Sequence, residues 1–70
     1  MNTKTIYIDG MQCNHCKMRV ENALKEIEGI TSVNVSLDDK LAIIEFTDII
    51  DEDRIIQAID DIGFTVKEIK

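Results

Sequence analysis

The chain has 70 residues, 44% of them apolar, with 14 acidic side chains against 8 basic ones and a formal charge of -6. That length allows one thin-cored domain, taken as residues 1–70, and excludes a deep enzyme cleft, because so small a chain buries only about 60% of its unfolded surface. The acidic balance makes nucleic acid or an anionic membrane surface a poor partner. No apolar run reaches transmembrane length, and residues 1–7 lack the apolar core of a signal peptide, so no membrane insertion is expected and the location reads as the reducing cytosol.

In chain order, Thr3 to Asp9 reads as a strand, with Ile6 and Ile8 on one face at period two. Gly10-Met11-Gln12-Cys13 breaks the alternation and forms a loop. Asn14 is the expected N-cap of a first helix, which puts His15 and Cys16 in its opening turn. Cys16, Val20, Ala23, Leu24 and Ile27 recur at helical spacing, with Lys17, Arg19, Glu21 and Lys25 on the wet side. Gly29 stands where a left-handed C-terminal cap is expected. Val33, Val35 and Leu37 alternate with polar residues as a half-buried strand. Asp38-Asp39-Lys40 reads as a turn, and Ala42, Ile44 and Phe46 as the inward face of the next strand.

Asp51 is the expected N-cap of a second helix, with Glu52 and Asp53 at its positive end. Ile55, Ala58, Ile59 and Ile62 form its apolar stripe, Gly63 ends it, and Phe64 to Ile69 gives a last short strand. The order β-α-β-β-α-β is that of a ferredoxin-like α+β sandwich, with both helices covering one face of a four-stranded antiparallel sheet.

The chemistry lies in Cys13 and Cys16, one in the loop and one in the first helical turn. A disulfide here would close so short a loop that its stabilisation would be slight. In a reducing compartment the pair points to metal binding or redox chemistry. Two sulfurs gripping one ion at about 2.3 Å each must sit roughly 4 Å apart, within reach of a loop that runs into a helix. Unpaired N–H groups and the positive end of the helix dipole favour the thiolate, which is the ligating form. Structural zinc takes four protein ligands and catalytic zinc three, whereas this chain offers two cysteines and one histidine. Soft thiolates in low number select copper(I) before harder ions. Composition and spacing alone leave zinc or a redox role open.

The run Gly10-Met11-Gln12-Cys13-Asn14-His15-Cys16, after an Ile-x-Ile strand, resembles the GMxCxxC loop of the heavy-metal-associated domain family. Gly29-Ile30, Val33-x-Val35-x-Leu37, Ala42-x-Ile44-x-Phe46 and Ile59-Asp60-Asp61-Ile62-Gly63-Phe64 extend the likeness over nearly the whole chain. The resemblance implies the ferredoxin-like fold and ligation of Cu(I), zinc, cadmium or mercury by Cys13 and Cys16. It also implies no catalytic activity, and a role either as a copper chaperone or as an amino-terminal module of a copper-transporting P-type ATPase. The Cys-Asn-His-Cys version is most similar to bacterial copper chaperones. Phe64 departs from them, since they usually carry tyrosine there and ATPase modules more often phenylalanine. Gln12 stands where zinc-selective members tend to place an acid, which favours copper. The implied partner is an ATPase or another acceptor with its own Cys-x-x-Cys, and the implied state is a monomer that a shared metal could bridge into a dimer.

Other residues have plainer readings. Met11 is a soft donor, but its apolar context and the resemblance place it under the loop as core. His15, between two ligands in a helical turn, is expected to face solvent and to tune the site or bridge a dimer. Phe64 is either a lid beside the loop, as the resemblance implies, or plain core. The acids from Asp48 to Asp53, with Asp60 and Asp61, lack calcium-loop spacing and read as solvated surface. Lys17 and Arg19 are expected to steer an acidic patch on a partner. A thiol–disulfide oxidoreductase would also want Cys-x-x-Cys at a helix start, but the chain has no proline and no thioredoxin-like strand–helix alternation.

Overall fold

The computed structural model describes residues 2–47 and 49–70. The elements run β1 (Asn2–Asp9), α1 (Asn14–Lys25), β2 (Ile30–Ser36), β3 (Leu41–Phe46), α2 (Glu52–Asp61) and β4 (Thr65–Ile69). The strands form one sheet in the order β2-β3-β1-β4, with every neighbouring pair antiparallel. This is the expected ferredoxin-like sandwich. Alternation decides which face is covered: Ile6, Ile8, Ala42 and Ile44 are almost fully buried and share one cluster with Val20 and Leu24 of α1 and Ile55 and Ile59 of α2. Ile43, pointing the other way from β3, is exposed. No helix among the described residues is long and apolar enough to cross a membrane.

The end of α2 follows from local rules. Asp51 caps its start by accepting a 3.0 Å hydrogen bond from the Asp53 N–H. Ile50 before the cap and Ile55 in the following turn are both buried, as in a hydrophobic staple. At the other end Gly63 adopts φ +94, its N–H bonds the Asp60 carbonyl at 3.0 Å, and the Phe64 N–H bonds the Ile59 carbonyl at 3.1 Å. Those two bonds make a Schellman motif. Phe64 therefore belongs to the helix cap, and β4 starts one residue later than the pattern suggests.

Three other boundaries differ from the sequence reading. Helix α1 stops at Lys25 with Glu26 as its cap, and Gly29 (φ +97) serves the turn into β2. The Ile27 N–H bonds back to Leu24 at 3.1 Å, so the last turn tightens before the glycine is reached. Leu37 lies beyond β2 in the Leu37–Lys40 turn but still packs partly against the core. The start of α1, in the Cys-x-x-Cys loop, is the third.

Candidate metal centre

β1 delivers the chain to Gly10, whose φ of +102 suits glycine alone. A Cβ on Gly10 would lie 3.0 Å from Cδ1 of Phe64, so the ring presses directly on the loop's first residue. Phe64 is thus both core and loop support: it is 9% exposed and belongs to the buried cluster. Met11, 3% exposed, anchors the next position in that cluster, as the apolar context predicts. Gln12, Cys13, Asn14 and His15 are exposed, and Cys16 is half-buried against the core.

The cap of α1 is Cys13, not Asn14. Cys13 is extended (φ -148, ψ 171), and its carbonyl accepts the first helical bond, from the Lys17 N–H at 3.1 Å. Its side chain makes no capping hydrogen bond, and no acid occupies the first turn. Asn14, a good capping residue by type, is the first helical residue instead. Cys13 and Cys16 thereby take the N-cap and N3 positions, one helical turn apart at the start of α1. The three-residue spacing brings the sulfurs together for that reason. Sγ of Cys13 lies 3.4 Å from Sγ of Cys16, inside the roughly 4 Å of the sequence estimate and well beyond a disulfide bond of about 2.05 Å. Both are free thiols.

The helix start acts on Cys16. Hydrogen bonding from the backbone at Gln12 most of all, then from the Cys13 side chain, lowers its pKa below the ordinary thiol value. Partial burial opposes this, while the backbone at Cys13 and the charge of Arg19 add to the lowering. The thiolate, the form a metal needs, is favoured.

The other residues singled out above are spread apart. Among the described residues no set of three His, Cys, Asp or Glu side chains converges to hold a metal, so His15 does not complete the cysteine pair within the chain. In the acid cluster, Asp48 lies outside the described residues, Asp51 caps α2, and Glu52 pairs with Lys4 at 2.8 Å. Lys17 is half-buried and lies against the end of β2, whereas Arg19 is exposed. Residue-type preferences missed Cys13 as the N-cap of α1; the three-residue spacing carried the signal for the sulfur pair.

The sequence profile of the heavy-metal-associated domain matches residues 5–65. Copper chaperone CopZ of Staphylococcus saprophyticus is 40% identical over 72 aligned positions, which span 96% of this chain and 100% of that one. Among solved structures, a CopZ metallochaperone superposes with a TM-score of 0.87 at 33% identity, over 93% of this chain and 98% of that one. A copper-binding domain from HMA7, a P-type ATPase, gives 0.89 at 31% identity, over 100% of this chain and 95% of that one. With the profile covering most of its length and the loop cysteines placed as described, the chain belongs to the heavy-metal-associated domain family.

Proposed function

We propose that this chain is a cytoplasmic copper(I) metallochaperone without catalytic activity, carrying one Cu(I) between Cys13 and Cys16. The observation that carries the reading is the pair of sulfurs 3.4 Å apart at an exposed helix start, where no third donor converges among the described residues. Similarity to copper chaperones supports the choice of metal. A two-thiolate site suits soft Cu(I) and underserves zinc, which takes three or four protein ligands. Cys13 is exposed and Cys16 half-buried in the loop and first turn, so an ion held between them is reachable from solvent.

That access permits transfer by ligand exchange. An incoming cysteine of an acceptor's Cys-x-x-Cys loses its proton to solvent and forms a third metal–sulfur bond. One metal–sulfur bond of the carrier then breaks, and its thiolate takes up a proton. Exposed Cys13 is the sulfur that exchanges first, since Cys16 is held by the helix start. No electron changes hands.

Anaerobic titration of the reduced protein with Cu(I) against a competing chelator should show one ion per chain, and zinc should bind far more weakly under the same competition. Zinc binding of equal strength would overturn the metal assignment. Turnover in an insulin-reduction assay would replace the carrier role by a thiol–disulfide oxidoreductase. The likeness to the ATPase domain over the full chain favours one second reading, an amino-terminal ATPase module. The full-length reading frame decides between the two.

A further inference from the structure

The two edges of the sheet are finished differently. β4 is short, carries Lys67 and Glu68 with Lys70 just beyond, and its pairing with β1 slips by one residue between Tyr7 and Ile8. Charges and bulges are the usual devices that stop an edge strand from recruiting another. β2 reads Ile-Thr-Ser-Val-Asn-Val-Ser, with no charge and no proline. Its one irregularity, at Thr31, lies far from the metal loop, and pairing is regular from Ser32 to Ser36.

The open backbone groups of β2 follow from parity. The Ile8 N–H bonds the Lys40 carbonyl at 2.9 Å, so the even-numbered residues of β3 face β1. Its odd-numbered residues then bond to β2 through Ser36, Asn34 and Ser32. The N–H and C=O groups of Val33 and Val35 point outward, with no strand beyond them among the described residues. The same Ile8–Lys40 bond sets the Leu37–Lys40 turn, which follows β2, beside β1 two residues before Gly10. A shallow groove runs there, lined by Asn34 to Asp38 on one side and by Lys17 of α1 on the other. Lys17 directly follows Cys16 and makes no ion pair among the described residues.

We propose that the β2 edge is a docking strand for the acceptor: an extended acceptor segment adds there as a fifth strand, its backbone bonded to Val33 and Val35 and one carboxylate side chain set against Lys17. Charge argues against a second copy as the occupant, because β2 has no acid to offer Lys17 and two chains of -6 repel. A strand held on this edge shares a groove with Lys17, the residue after Cys16, and raises the effective concentration of whatever it tethers. The identity of the occupant as the metal acceptor rests on the transfer reading, but strand addition itself needs neither metal nor thiols.

The test pans a phage-displayed library of random linear peptides against the reduced, metal-free full chain. The selected peptides should alternate β-branched residues around one Asp or Glu, and their binding should shift and protect the Val33 and Val35 amides in NMR spectra. Val33→Pro, which deletes one outward N–H, and Lys17→Glu, which leaves the strand intact, should each weaken binding about tenfold or more, while both variants titrate Cu(I) like the parent chain. No enriched sequence, equal binding to Lys17→Glu, or amide shifts centred on β4 would overturn the proposal. So would a peptide-free dimer with β2 amides protected, which would make a second copy the occupant. Failure of the copper titration with intact peptide binding would remove the transfer reading and leave the docking strand standing.

Discussion

Helix α2 begins on an oxygen and helix α1 on a sulfur. At α2, Asp51 accepts the Asp53 N–H, and Glu52 and Asp53 place two more negative charges in the first turn. At α1, Cys13 makes no capping bond, no acid follows it, and the backbone at Gln12 and Cys13, just before the helix, acts on the Cys16 sulfur. The two helices do similar work for the core, each burying two residues of its inward stripe. Their starts therefore differ for a reason other than folding. One helix end is neutralised by its own side chains, and the other is left electropositive beside two thiols.

Exchanging the chemistry of the two starts gives the largest expected effect. Cys13→Ser should cut Cu(I) affinity by orders of magnitude, because one thiolate cannot hold the ion against competing thiols. The same change supplies a hydroxyl cap and should stabilise the metal-free protein by about 0.5–1 kcal/mol. Chelator competition and chemical denaturation measure the two halves, and a serine variant that binds copper normally would erase the distinction between the helices. Met11→Ala tests the support beneath α1: a cavity at this buried side chain should cost about 2–5 kcal/mol in folding stability. Copper stoichiometry should stay at one in the folded fraction. Unchanged melting with ruined copper binding would make Met11 a ligand.

At the other helix, Asp51→Ala should cost about 1 kcal/mol of stability and leave copper affinity alone. A change in metal binding of the same size as the change in stability would show the two starts to be coupled. The pH dependence separates them further. The thiol of Cys16 has its pKa lowered on folding, so its contribution to stability is absent below that depressed pKa. It grows as pH rises toward the ordinary thiol value and is complete above it. The melting temperature of the metal-free parent relative to Cys16→Ala should accordingly rise with pH across that interval. A flat or falling difference would contradict the role given to the helix start. The smallest effect belongs to His15→Ala, which should keep monomer affinity within about one order of magnitude, or 1.4 kcal/mol.

The fold was legible because apolar alternation and capping residues agree along most of the chain. Ile6 and Ile8, Ala42 to Phe46, and Ile55 with Ile59 all bury the predicted faces, and Asp51 caps where its type predicts. Errors clustered where one residue answers to two demands. Asn14 looks like a cap by type, but Cys13 takes that position and Asn14 is the first helical residue. Gly29 looks like a helix stop, but the helix has already tightened at Glu26 and Ile27. Phe64 looks like strand, and its backbone completes the cap of α2 while its ring braces Gly10. Lys17 reads as wet surface in a helical pattern, and only the packing of α1 beside β2 turns it toward the sheet edge. The cysteine pair itself was fully visible, because three-residue spacing and thiolate chemistry are properties of the sequence alone.

In the function proposed here, two sulfurs of one chain, and no other side chain, hold the ion. X-ray absorption at the copper edge on the anaerobically loaded monomer tests it most directly. The expected nearest neighbours are sulfur only, at the count of two that Cys13 and Cys16 supply, unchanged in His15→Ala. A nitrogen shell that disappears in His15→Ala, or a sulfur shell that survives intact in Cys13→Ser, would contradict it.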